Sequence, residues 1–256
     1  MDKIAFKLGP LTIHWYGVLV ALGFLIGLWI ASRRATRYGI APERIMDAGP
    51  WMIIGTIVGA RAWHVIQYWP EEFAGKPWTE IFMIQHGGLV YYGGFIGAAV
   101  ATIFYLRWRN LPIWKFGDAI APSIPVGYVL GRIGCLMNGC CYGKACDLPW
   151  AIRFPSAHDT GGAPVHPAQI YDALLSAVLW GILEWLYRRK RFDGEVFASY
   201  LIGYAICRFI VEFFRGDYPH HYLGGWATPG HLTSILIFVA GLVLWFRLPK
   251  LVAKAA

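Results

Sequence analysis

Apolar runs of about twenty residues recur along this chain, and that is the length a helix needs to cross a hydrocarbon layer about 30 Å thick. They fall at 12–31, 48–68, 88–106, 116–136, 167–187, 196–214 and 230–247. With 57% of residues hydrophobic and 16% aromatic, the chain reads as an all-α integral membrane protein. It is expected to be a single polytopic domain, 1–256, of about seven transmembrane helices. The first run lacks an Ala-x-Ala cleavage signal and continues through Leu28, Trp29 and Ile30 before a basic cluster, so it is expected to be a retained span. The fourth is the least regular. Pro122, Pro125, Gly127, Gly131 and Gly134 interrupt it, which a membrane helix tolerates only where neighbours take up the freed backbone groups. Residues 138–166, with Pro149, Pro155, Gly161, Gly162 and Pro164, read as a small loop-rich cap.

Basic residues give the orientation. Fourteen lie on one side: Arg33, Arg34, Arg37 and Arg44; Arg107, Arg109 and Lys115; Arg188, Arg189, Lys190 and Arg191; and Arg247, Lys250 and Lys254. Six lie on the other: Lys3, Lys7, Lys76, Lys144, Arg153 and Arg215. The positive-inside rule then puts the N-terminus outside and the C-terminus in the cytoplasm. These short clusters, interrupted by apolar runs, make no basic face with interleaved aromatics, so the net charge of +8 does not signal a nucleic-acid partner.

Three arginines are left inside spans: Arg61, Arg132 and Arg208. Counted from the cytoplasmic starts of their helices they lie roughly 20–24 Å up, in the outer half of the bilayer. Charges at such depth usually mark a site. Tyr204, Arg208 and Glu212 are spaced by four and share one helical face, with Arg215 three further on. His14, Tyr16, Tyr91, Tyr92, His166 and Gln169 reach the same level from the odd spans. A net-positive face of arginines and tyrosines with one carboxylate suits an anionic lipid head group, because a guanidinium fork matches phosphate oxygens. Arg132 also stands within Gly131-Arg132-Ile133-Gly134-Cys135-Leu136-Met137-Asn138-Gly139-Cys140-Cys141-Tyr142-Gly143-Lys144, where glycines break the helix at membrane depth.

The cysteines are open to three readings. Cys135, Cys140, Cys141 and Cys146 cluster at the outer end of span four, where Cys140 or Cys141 paired with Cys146 would form a disulfide in an oxidising compartment. A zinc site is a rival, although the spacing is not a paired Cys-x-x-Cys. Buried free thiols are the third, and Cys207 reads as a small apolar filler. Among histidines, His14, His64, His86 and His166 are candidate bases near the outer surface, whereas His220 and His221 read as solvated surface.

Taken together with His14-Trp15-Tyr16-Gly17, the Gly-Gly pairs at 87–88 and 93–94, His166-Pro167-Ala168-Gln169-Ile170-Tyr171 and Arg208-Phe209-Ile210-Val211-Glu212-Phe213-Phe214-Arg215, the Arg132 signature resembles the bacterial prolipoprotein diacylglyceryl transferases. The resemblance covers nearly the whole chain. It implies a multi-pass protein of the bacterial inner membrane with a periplasmic cap. It implies an enzyme that transfers the diacylglyceryl group of phosphatidylglycerol to the lipobox cysteine of a prolipoprotein signal peptide, with neither metal nor organic cofactor. Position by position it implies Arg132 and Arg208 as essential arginines, Glu212 and Tyr204 as their companions, Tyr16 as the first-span tyrosine and Gly143 as the end of the signature. Asn138 would hydrogen-bond the head group, and Arg61 and His86 are further candidates at the substrate.

Three positions depart from the family. Tyr92 stands where a histidine is frequent, Cys135 where an asparagine is, and Cys140 where a glutamate is, so proton transfer from the thiol falls to Tyr92 or to His86. An unperturbed tyrosine is a poor base at neutral pH, but neighbouring arginines would favour its phenolate. Two other readings stay open. A paralogue could bind the same lipid with another thiol acceptor or no chemistry. A lipid or anion transporter would need polar residues through the inner half of the membrane, where only Asp47 and Asp118 stand.

Overall fold

The computed structural model describes residues 3–9, 11–84, 87–217 and 227–255. His86, His220 and His221 lie outside them. Eight helices dominate: α1 (Trp15–Ala35), α2 (Pro42–Gln67), α3 (Tyr91–Trp108), α4 (Ile113–Ile120), α5 (Ser123–Asn138), α6 (Ala168–Tyr187), α7 (Glu195–Glu212) and α8 (Pro229–Ala255). Three are long and apolar enough to cross a membrane, and the bent pair α4–α5 adds a fourth. α7 carries Glu195, Arg208 and Glu212, and these charges lower its apolarity. Many large apolar side chains face outward, Leu174 at 62% exposed and Leu236 at 70% among them. A water-soluble surface does not expose apolar area on this scale, whereas lipid is its natural solvent.

Short strands modify the all-helical expectation. β1 (Ile4–Leu8) and β2 (Leu11–His14) form an antiparallel hairpin, so residues 12–14, expected within the first span, are strand and α1 starts at Trp15. β3 (Ile152–Arg153) and β4 (Pro164–Val165) form a second hairpin within the loop-rich segment. The chain divides into two compact units, Met1–Arg34 with Gly117–Ala256, and Ala35–Phe116.

In the first unit α5, α6, α7 and α8 pack consecutively. The irregular apolar run 116–136 falls on two helices bent by 41°, because the prolines at 122 and 125 lack the N–H groups that would continue the ladder. The bend is stitched from outside. Arg34 donates to the Ala119 carbonyl at 3.0 Å and to Ser123 Oγ at 2.9 Å, and its other nitrogen meets Glu184 at 2.5 Å. Asp118, fully buried, caps the start of α7. Its oxygens accept from the Gly194, Val196 and Phe197 amides at 2.8, 3.0 and 3.0 Å and from Lys190 Nζ at 2.9 Å. A carboxylate there satisfies orphan helix donors and meets the positive end of the dipole. Burial opposes the Lys190 charge, but its hydrogen bonds to the Asp118 and Asp193 carboxylates outweigh that and hold its pKa above the ordinary lysine value. Asp118 is therefore built into the fold, as a cap.

In the second unit α2 and α3 approach closely along Gly55 and Gly59 on one side and Gly93 and Gly97 on the other. A Cβ on Gly55 would come 2.5 Å from the Gly97 carbonyl oxygen, so these small-xxx-small pairs allow the backbones to meet.

Candidate functional site

Arg132 on α5 and Arg208 on α7 meet at one carboxylate on α6. Asp172 Oδ2 lies 2.8 Å from Arg132 Nε and 3.7 Å from Arg208 Nη1, and it accepts a hydrogen bond from the Tyr128 hydroxyl at 2.9 Å. Tyr128, one turn before Arg132, also accepts from the Arg132 guanidinium, which lies over its ring 4.7 Å from the centroid. The helical spacing of Arg208 and Glu212 yields the expected pair, Nη2 to Oε2 at 2.6 Å. Glu212 is held in turn by the Thr228 hydroxyl, which donates to Oε1 at 2.6 Å. Tyr204 packs edge-on to Tyr128 at 5.8 Å.

Asp172 and Glu212 are 2% and 1% exposed, so the two guanidiniums are neutralised by two carboxylates away from water. The expected net-positive face with one carboxylate is corrected here. Arg215, expected to continue the α7 face, lies beyond the end of that helix and makes a two-pronged pair with Asp217 at 2.8 and 2.7 Å. Unpaired buried charges would be prohibitively costly, which explains the balance. A guanidinium has five N–H donors in a fixed fork, more than one carboxylate can take, and its geometry matches phosphate oxygens as well as carboxylates.

The signature continues into a stapled turn. α5 ends with Gly139 in the left-handed region, φ 76°, and the Cys140 amide reaches back to the Cys135 carbonyl at 3.1 Å, a Schellman closure. Asn138 is the last residue of α5. Gln169 donates to the Cys140 carbonyl at 2.8 Å, and His158 Nε2 lies 2.6 Å from the Gly139 carbonyl. Gly143 sits at a crossing: its amide donates to His166 O at 3.0 Å, and it bridges Arg215. A Cβ there would stand 2.5 Å from the His166 carbonyl oxygen, so the place given to Gly143 is one of close backbone approach. Tyr16 reaches this region from α1, for a Cβ on Gly134 would lie 3.2 Å from it.

Of the remaining candidates, Arg61, His64 and Tyr92 belong to the other unit. Arg61 gives its donors to backbone: Ile81 O at 2.8 Å, Gly87 O at 2.7 Å, Gly88 O at 3.3 Å and Glu80 O at 2.7 Å. It ties the 80–88 connection to α2. Arg61→Lys, which cannot reproduce that fan, is expected to lower stability by about 2 kcal/mol while changing turnover per folded molecule less than ~10-fold, read by thermal melting in detergent beside a transfer assay. His64 pairs with Glu72 at 2.9 Å. His166 lies 3.2 Å from the Tyr171 hydroxyl. Tyr92, in the first turn of α3, is 53% exposed.

All five cysteines are free thiols. The sulfurs of Cys135, Cys140 and Cys141 lie within 4.8 Å of one another, so the cluster forms around Cys135 and not, as one reading had it, around Cys146. Asp172 and Tyr128 escape the sequence reading, which weighs basic residues within spans. An acidic residue early in an apolar run and a tyrosine four before Arg132 were the available signals.

Comparison with known sequences gives the family. The family profile described as Prolipoprotein diacylglyceryl transferase matches residues 3–247. A phosphatidylglycerol–prolipoprotein diacylglyceryl transferase of Legionella pneumophila (strain Paris) is 37% identical over 254 residues, covering 96% of each chain. One of Pseudomonas entomophila (strain L48) is 38% identical over 252 residues, 95% of this chain and 92% of that one. One of Nitratidesulfovibrio vulgaris (strain DSM 19637 / Miyazaki F) is 37% identical over 252 residues, 96% and 94%. With its arginine pair held on buried carboxylates, its bent α4–α5 pair and this agreement along nearly its whole length, the chain belongs to the prolipoprotein diacylglyceryl transferase family.

Proposed function

We propose that this protein transfers the diacylglyceryl group of phosphatidylglycerol to the lipobox cysteine thiol of a prolipoprotein signal peptide, the first step of lipoprotein maturation. Relatives that bear this activity in their names align over nearly the full chain, and the observation that carries the reading to residues is the Arg132–Asp172–Arg208 cluster. The reaction is a displacement at the glycerol carbon joined to the phosphate. The thiol loses its proton, sulfur bonds to that carbon, the carbon–oxygen bond breaks, and its electron pair leaves on glycerol phosphate.

In this proposal Arg132 and Arg208 bind the phosphate, and contacts that tighten as charge grows on the leaving oxygen do most for the rate. Asp172 and Glu212 orient the guanidiniums. Tyr16, Asn138 and Tyr204 set the head group, Gly143 shapes the turn, and Tyr92 or His86 takes the thiol proton. The lipid tails stay in the bilayer and need little recognition.

The same proposal places seven spans in a bacterial inner membrane, with the α4–α5 pair as the fourth, the 138–166 segment as a periplasmic cap, the N-terminus outside and the C-terminus in the cytoplasm. Cysteines introduced at 188–191 should be labelled by a membrane-impermeant reagent only after the membrane is opened, and labelling in intact cells would overturn the orientation. For the activity, expression should restore growth and lipoprotein maturation in a bacterium whose own diacylglyceryl transferase is switched off. Accumulation of unmodified prolipoprotein despite normal membrane levels of this protein would refute it.

A further inference from the structure

The thiols of Cys135, Cys140 and Cys141 take part in none of the steps above, yet the fold brings them together. Cys135 lies on the last turn of α5, and the Schellman closure at Gly139 reverses the chain so that Cys140 and Cys141 return beside it. Cys141 is held at φ 62°, a conformation rare for a residue with a side chain. The turn that holds it is fixed from several directions, by Gln169 on the Cys140 carbonyl, His158 on the Gly139 carbonyl and the Gly143 amide on His166. Three sulfurs bound to a common ion at about 2.3 Å would be roughly 4 Å apart. The separations here are all within 4.8 Å, so a slight contraction would complete the site.

We propose that Cys135, Cys140 and Cys141 form a three-thiolate site for one thiophilic d10 metal ion, Zn²⁺ with a fourth ligand from solvent or Cu⁺ with none. Soft thiolates select such ions over Mg²⁺ or Ca²⁺. Each thiol gives its proton to water on binding, so affinity weakens as the solution is acidified. Three thiolates around either ion leave net negative charge at the site. The Cys-x4-Cys-Cys spacing lacks the paired Cys-x-x-Cys form, and it is the helix-ending turn that closes the distance.

The test uses the full chain, reduced and metal-free in detergent, with Cd²⁺ as a spectroscopic d10 probe and Zn²⁺ and Cu⁺ as competitors. One equivalent of Cd²⁺ should give a sulfur-to-metal charge-transfer band, displaced by Zn²⁺ or Cu⁺. Cys135→Ser, Cys140→Ser and Cys141→Ser should each weaken binding at least ~10-fold, since loss of an outer-shell partner alone costs that much, while Cys146→Ser and Cys207→Ser keep it. Zn²⁺ should raise the melting temperature of the parent and not of Cys141→Ser, which separates lost binding from lost folding. Absence of the band in the folded parent, its survival in Cys141→Ser, or its loss in Cys146→Ser would overturn the site. These readouts do not depend on transferase activity.

Discussion

Arg132→Lys and Arg208→Lys are each expected to leave a folded membrane protein that has lost at least ~100-fold in diacylglyceryl transfer, about 2.7 kcal/mol of transition-state stabilisation. The argument is geometric. Arg132 engages Asp172 through Nε at 2.8 Å and Tyr128 through another nitrogen, while Arg208 spans Asp172 at 3.7 Å and Glu212 at 2.6 Å. A planar guanidinium fork can serve two sets of acceptors in fixed directions at once. A lysine ammonium keeps the charge but offers a compact head on a flexible stem, and cannot serve both sets at once. Steady-state transfer on purified variants, normalised to folded protein, measures the loss. Near-parental turnover in both would mean that these arginines supply only a general positive field.

Asp172→Asn should cost a similar factor in turnover, and it is the sharper test of how the site is organised. The carboxylate is 2% exposed and shared by both arginines, and removing one partner of a buried ion pair destabilises by about 3–5 kcal/mol because the other charge is left uncompensated. The amide retains the shape and one acceptor for Tyr128. We expect a lower melting temperature, kcat reduced ~100-fold, the cost of misplacing a preorganised contact, and a KM for phosphatidylglycerol that does not rise, since removing a negative charge favours an incoming phosphate. Higher KM with unchanged kcat would show that Asp172 contributes to binding alone and does not position the arginines for reaction.

Much of this architecture is legible in the chain because membrane helices must satisfy their own backbone. The break at Pro122 and Pro125, the glycine-ended α5 and the Arg208–Glu212 pair all follow from local chemistry. Asp172 was harder to see, because its partners come from two other helices and only packing joins them. Arg61 looked like a head-group ligand by depth, but its acceptors are carbonyls between Glu80 and Gly88, whose approach no spacing rule foretells. Residues 12–14 of the Ile4–His14 hairpin fall within the first apolar run because alternating and continuous apolar patterns merge over so few residues. The thiol trio depended on a left-handed turn at Gly139 and Cys141, which the sequence hinted at only through its glycine.

The most direct measurement is to incubate purified protein with phosphatidylglycerol labelled in both its diacylglyceryl and head-group parts, together with a lipobox peptide. The label in the diacylglyceryl part should move to the peptide cysteine while the head-group label appears, one for one, as water-soluble glycerol phosphate, and both should fall together in Arg132→Lys, Arg208→Lys and Asp172→Asn. Lipid that is bound but released unchanged from active-looking, folded protein, or transfer that survives all three substitutions, would contradict the assignment of this arginine–carboxylate cluster as the seat of the reaction.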